Sequence, residues 1–301
     1  MKHLNSLAIT LLPALTALPA AMHVHAADSP WQYDIGGSAG YNNNLGQAER
    51  DRDIVEDFFA TITAGANYGM SLGTGQELTL RGFLETEQWE EVRDISRLSA
   101  GGKLIFDWQP TAGPTAPAYQ FNTTLRLDDY AHSQRDSTVS TTQLLVTKPI
   151  NPQLSATLGI EYRNRDSSGT VWDLSHVRGF LGGAFAFSPG WSAHGTYSYL
   201  DGDVWSVAQT TSCNGTPAGD IFGLVSAADA IEPDEAFNEA FCGSWHAYRL
   251  PATAHTLELG VSKDIGESMA VDFSVLGLKV DARGDNEYDT QVFRVSLSKR
   301  F

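Results

Sequence analysis

What most constrains the fold of this chain is a two-residue rhythm that returns in about a dozen separate runs. In the first run Trp31, Tyr33, Ile35, Ala39 and Tyr41 alternate with Gln32, Asp34 and Ser38. Successive side chains of an extended strand point to opposite faces, so a run like this has one apolar side and one polar side. The split recurs over residues 58–68, 78–84, 98–108, 119–127, 154–162, 177–187, 191–200, 257–261 and 293–297. Residues 138–148 and 269–280 repeat it less regularly, because Leu144-Leu145-Val146 is continuously apolar and the second run is mixed toward its end. Helices would place apolar residues three and four apart, so the chain reads as all-β.

Strand length narrows the class. Soluble sandwiches use strands of about five or six residues. These runs approach the nine to eleven or so that a tilted strand needs to cross a bilayer. Their apolar faces mix glycine and alanine with leucine, which suits contact with lipid better than a dense interior. The connections also fall into two alternating sets. One comprises 71–75, 110–117, 149–152, 188–190 and 264–267, mostly glycine- and proline-rich turns. The other comprises 43–54, 88–95, 132–137, 166–174, 201–251 and 282–287, mostly charged and in one case long. Membrane barrels have short turns at one rim and longer loops at the other. Aromatic residues, among them Trp31, Tyr33, Tyr68, Trp108, Tyr119, Phe187 and Trp191, cluster at strand ends, as an interfacial girdle requires.

Residues 1–26 carry Lys2, a mostly apolar stretch broken by Pro13 and Pro19, and the small-residue site Val24-His25-Ala26, and read as a cleaved signal peptide. Residues 27–301 are then the mature domain. No later run of about 18 apolar residues offers a membrane helix. The formal charge of −16 argues against a nucleic-acid partner. Cys213 and Cys242 are the two cysteines, and in an exported chain they suggest one disulfide.

With these features the chain resembles Gram-negative outer-membrane β-barrel proteins, porin-like in build. The resemblance implies a single transmembrane, antiparallel, up-and-down barrel of about twelve strands, with both termini periplasmic and the 201–251 loop outside. It also implies contact with outer-membrane lipid and lipopolysaccharide. Phe293, Val295, Leu297 and the terminal Phe301 match the aromatic-ended last strand that the barrel assembly machinery reads, although Lys299 interrupts the apolar series. Gly40-Tyr41-Asn42-Asn43-Asn44 is similar to the first-strand ending of surface-lipoprotein assembly and polysaccharide-export barrels, but the helical-repeat domain usual in those proteins has no counterpart here.

The register puts Arg81, Arg97, Lys103, Arg126, Arg163, Arg178 and Arg294 on the lumen face. Asp34, Glu77, Glu85, Asp128, Glu161, Glu258 and Asp272 share it. Such residues either fill a narrow interior with ion pairs or line a path where charge selects permeants. Mixed signs predict no strong ion preference.

Three functions fit this pattern. The first is a porin or channel for a small solute. The second is a non-conducting structural or surface-interaction barrel acting through its long loop. The third is a lipid-modifying enzyme. No cofactor is expected and no metal site, since no calcium-loop motif occurs; the acidic groups at Asp51, Asp53, Glu56, Asp57 and at Glu85, Glu87, Glu90, Glu91 read as solvated loop charge. The His-x-Ser-Asn-Gly signature of phospholipase barrels, which the chain resembles in size, is absent. Only Ser192 and His194 have a spacing that puts such a pair on one strand face. His132 and Asp136 could lie at an outer rim, without evident partners. The sequence leaves the oligomeric state open.

Overall fold

The computed structural model describes residues 30–301; the expected signal peptide lies outside them. Thirteen strands form one sheet. They are β1 (Trp31–Asn42), β2 (Asp57–Gly73), β3 (Gln76–Trp89), β4 (Arg97–Trp108), β5 (Ala118–Tyr130), β6 (Ser137–Pro149) and β7 (Leu154–Ser167). Then follow β8 (Leu174–Ser188), β9 (Trp191–Thr211), β10 (Ala230–Pro233), β11 (Ser244–Ile265), β12 (Met269–Ala282) and β13 (Asn286–Arg300). All but β10 build the wall, each antiparallel to its neighbours. β9 pairs with β11 over Trp191–Thr211, and β13 pairs back onto β1 from Asp34↔Arg300 to Asn42↔Val292. The sheet is therefore a closed barrel of twelve strands, and closure removes the free edges that an open sheet must protect. β10 is a short extra strand on the far end of β11.

The two faces separate as the alternation requires. Leu84, Leu125, Leu127, Leu158, Leu181, Leu257 and Phe273 are each at least half exposed and point outward. An apolar belt of this extent would be a liability on a soluble monomer and is what a lipid-embedded wall needs. At the end that carries Trp31 and Phe301, here the terminus end, ring pairs cross neighbouring strands: Trp31–Tyr68 at 4.9 Å, Trp108–Tyr119 at 5.4 Å and Phe187–Trp191 at 6.3 Å. The turns here are short, two to four residues, except the nine-residue connection 109–117. The β8–β9 turn places Gly190 at φ +67°, a conformation that glycine adopts without strain.

The opposite, loop end is different. Short 3-10 turns at Asp51–Asp53, Arg93–Ile95, Ser133–Arg135 and Thr170–Trp172 gather there with helices α1 (Phe222–Ala227) and α2 (Glu235–Ala240). They fold into the mouth as a cap. One apolar cluster joins lumen-facing Phe59, Trp89 and Val292 of the wall to Leu45, Val92, Ile95, Val171, Trp172 and Phe237 of the connections. Fully burying each large member is worth about 1.5–3 kcal/mol.

The long connection is shorter than the sequence suggests. β9 runs on to Thr211 and β11 starts at Ser244, so residues 201–211 and 244–251 are strand and only 212–243 connect them. The reason is packing. Above Leu200 this hairpin enters the mouth and both its faces are covered. Val204, Ala208, Tyr248 and Leu250 pack with Leu278, Val280 and Tyr288 of β12 and β13 and with Leu224 of α1. Trp205, Val207, Trp245 and Ala247 pack into the cap cluster. With neither face wet, the two-residue signal vanishes. Gly202, at φ +149°, allows the departure: a Cβ there would lie 2.3 Å from the Ser175 carbonyl oxygen. Cys213 and Cys242 are joined in a disulfide that closes the connection.

Candidate functional site

The lumen below the cap is the candidate site. Cross-strand registry places the expected charges on its wall as an interlocked set. Arg81 bonds Asp34, and its registry partner on β4 is Lys103. Arg97 bridges Glu85, Glu87 at 3.3 Å and Asp128 at 3.6 Å. Arg126 Nε lies 2.8 Å from Asp128, which also accepts the Ser99 hydroxyl at 2.6 Å. Arg178 donates to Glu161 at 2.8 Å, and Gln143 donates to the same carboxylate. Asp272 accepts from Ser262 at 2.6 Å and faces His194 at 3.8 Å. Arg294 lies over the Phe59 ring, 5.7 Å from its centroid. Glu258 is buried on β11, and Glu77 is exposed near the terminus end.

Arg163 differs from its neighbours. It is 5 % exposed, and among the described residues no hydrogen bond or ion pair within 4.0 Å reaches its guanidinium. Two steps along β7, Arg165 donates to Ser137 Oγ at 3.2 Å and to the Arg135 carbonyl at 2.9 Å.

The cap carries its own polar anchors. Arg135 and Asp234 form a buried ion pair at 2.6 Å, with the guanidinium 3.8 Å from the centroid of a Trp172 ring. Asp57 takes the Glu91 and Val92 amides at 3.1 and 3.0 Å. Asp53 and Asp57 are thus fully buried, not solvated as the acidic run suggests. Their role is to satisfy or abut backbone and arginine groups inside the cap. Burial pushes the Asp53 carboxyl above the usual aspartate range, only partly relieved by Arg52. At the rim His132 gathers Asp94, Glu235 and Glu239 rather than Asp136, whose carboxylate accepts the Tyr130 amide at 2.8 Å. Asp94, His132 and Glu239 each offer one donor atom within 4.8 Å of the others, the one group among the described residues with ligand-like spacing. Ser192 and His194 share the lumen face of β9, but no hydrogen bond joins them among the described residues.

Glu87, read from the sequence as solvated loop charge, instead faces Arg97 in the lumen at 3.3 Å; sequence reasoning misses Gln143 and the Arg135–Asp234 pair. Extending the third run by one step puts Glu87 on the lumen face, and the alternation that places Arg178 there places His176 with it. Nothing local marks Arg135 and Asp234, which lie 99 residues apart.

The closed wall and charged lumen can be set beside solved structures. The chain matches an outer-membrane channel from Pseudomonas putida F1 with TM-score 0.59 and 9% identity, over 92% of this chain and 97% of that one. This chain has the fold of a bacterial outer-membrane β-barrel. At that identity the likeness speaks for the fold alone. DcaP, an outer-membrane channel of Acinetobacter baumannii, matches at TM-score 0.43 and 8% identity over 90% of this chain and 96% of that one. The NanC porin matches at 0.42 and 9% over 88% and 98%. No protein-family model matches the sequence, and no curated protein matches it.

Proposed function

We propose that this barrel is an outer-membrane channel for small solutes whose loop-end mouth is closed by a displaceable cap. The observation that carries the reading is the contrast along its axis. The wall below the cap is polar, charged and partly wet, as a path for solutes must be. The cap is a set of connections packed into the mouth; the hairpin at its centre continues the β9–β11 ladder, and the other connections are fastened to it mainly by side-chain contacts, with one disulfide closing the longest. The lumenal charges, from Asp34 and Arg81 to Glu258 and Arg294, line the path; most are paired with the opposite sign, which favours little discrimination between cations and anions.

In this reading the barrel sits in the Gram-negative outer membrane with both termini in the periplasm and the cap outside, among lipopolysaccharide. Phe293, Val295 and Leu297 face outward on the last strand, and Phe301 is exposed beside Lys299. They are the surface the barrel assembly machinery would read. A second reading keeps the barrel shut and gives the work to the outer face of the cap, where Phe222 is 75% exposed. The lipid-enzyme reading has less support, since Ser192 and His194 are not joined.

Planar-bilayer conductance decides between the first two. The intact barrel should conduct weakly, and deleting residues 214–241 should raise conductance severalfold. Folded barrels that stay silent after the deletion would remove the channel reading and favour the second.

A further inference from the structure

We infer that a small cavity under the cap is a binding site for a short-chain monocarboxylate, held by Arg163 beside His176. The cavity has a volume of about 70 Å³ and lies where β7, β8, β9, β11 and β12 meet the folded-in hairpin. Gln47 and Trp205 belong to its lining from the cap side.

Registry explains its two-sided character. Arg163 pairs with His176, which pairs with Gly202. Leu200 pairs with Ala254, and Ala254 with Val280. Around this level the lumen wall is therefore cationic and polar on β7 and β8, and apolar on β9, β11 and β12. A site with both halves selects a molecule with both halves.

Two groups lack partners. A buried cation is costly unless paired, and the arginines at 81, 97, 126 and 178 all have carboxylates within reach. Arg163 has none among the described residues, although it lines the cavity. Glu161, two residues away on the same face, gives its Oε2 to both Arg178 and Gln143; its Oε1 is buried without a hydrogen bond, and no Glu161 oxygen comes within 4.0 Å of the Arg163 guanidinium. His176 Nε2 is buried and likewise without a hydrogen-bond partner. Asp203, the acidic member of the lining, is occupied by the Ser175 amide and hydroxyl at 3.0 and 3.1 Å. Arg165 adds a second positive charge nearby. An entering carboxylate would accept from the Arg163 guanidinium in its forked geometry, with His176 Nε2 as a further donor in the tautomer that carries its proton there.

The other half rejects a hydrated inorganic anion. Leu200, Val204 and Leu278 offer no donors, so the anion must bring an apolar body to cover them. Size sets the rest. One water needs about 10–15 Å³ of such space, so the cavity suits a molecule of about six heavy atoms. Butyrate meets all three conditions.

The binding test does not depend on conduction. Isothermal titration of the whole barrel in detergent with sodium butyrate should give saturable binding, while 1-butanol, butylammonium and chloride should give none. Arg163→Gln should weaken butyrate at least tenfold, and Lys279→Gln, outside the lumen, should leave it unchanged. Should Arg163→Gln fail to fold, Val204→Phe serves in its place; by filling the apolar half it should weaken butyrate at least tenfold. No saturable butyrate binding to the folded wild type would overturn the inference, as would chloride binding equally well or Arg163→Gln retaining wild-type affinity. Conductance measured on the same preparation keeps the readings apart: a barrel that conducts without binding butyrate sinks this site alone, and one that binds without conducting sinks the channel alone.

Discussion

Asp234→Ala should loosen the cap while leaving the barrel wall intact. Asp234 is 2% exposed and does two things. Its carboxylate pairs with Arg135 at 2.6 Å, and it caps α2 by accepting the Phe237 amide at 3.3 Å. Removing one member of a buried ion pair costs about 3–5 kcal/mol, because the other charge is left uncompensated. Losing the helix cap adds about 1 kcal/mol. The Arg135 guanidinium keeps its stack on Trp172, which returns part of that loss. A net cost of about 4 kcal/mol remains, close to a thousandfold in the ratio of closed to open cap. Protease cleavage within residues 212–243 reads that ratio directly and does not require the barrel to conduct. Heat modifiability on gels reads the wall and should not change. Asp234→Asn should fall between wild type and Asp234→Ala, since it keeps an acceptor for the helix and loses only the charge. Unchanged cleavage in a folded Asp234→Ala barrel would refute the view that this pair fastens the cap.

Other outcomes follow from the same structure. Leu84→Arg puts a charge on the lipid face near mid-strand and should cost about 2–4 kcal/mol of assembly stability, whereas Thr79→Arg, on the lumen face, should assemble; equal band shifts for the two would contradict the register. Reducing Cys213–Cys242, which closes a separation of 29 residues, should remove about 3–4 kcal/mol of loop constraint and speed proteolysis of the cap without unfolding the wall. The raised Asp53 carboxyl predicts a pH effect of definite sign. A carboxylate whose folded pKa is raised contributes fully below its unfolded value of about 3.9 and loses that contribution as pH rises through the folded one. The cap should therefore become more protease-sensitive as pH rises above about 4, and Asp53→Asn should flatten that slope; an unchanged slope would dismiss Asp53 as its source.

The wall was legible in the sequence because each of its strands meets two different solvents. Leu80 against Thr79, or Leu158 against Thr157, records that difference residue by residue, so the faces could be read without coordinates. Phe180 shows the limit of the rule: it is apolar and lumenal, buried with Arg178 5.3 Å from its ring centroid. The cap left no such record. It is assembled from single large residues set in polar loops, Leu45, Val92, Ile95, Trp172 and Phe237, and no periodicity connects them. Their common feature, one or two bulky residues in an otherwise polar connection, becomes a signal only once the loops are known to converge. The alternation puts Arg163 and Glu161 on one face, but the lack of a close counterion for Arg163 depends on Glu161 turning to Arg178, which spacing along one strand does not reveal.

A stopper made of independent straps would work loose one strap at a time. Here the ends contributed by the connections after β1, β3, β5, β7 and β9 are tied to one another, by one shared apolar cluster and one buried ion pair. Ends tied together let go together, so current through the barrel should switch between two levels rather than climb a staircase.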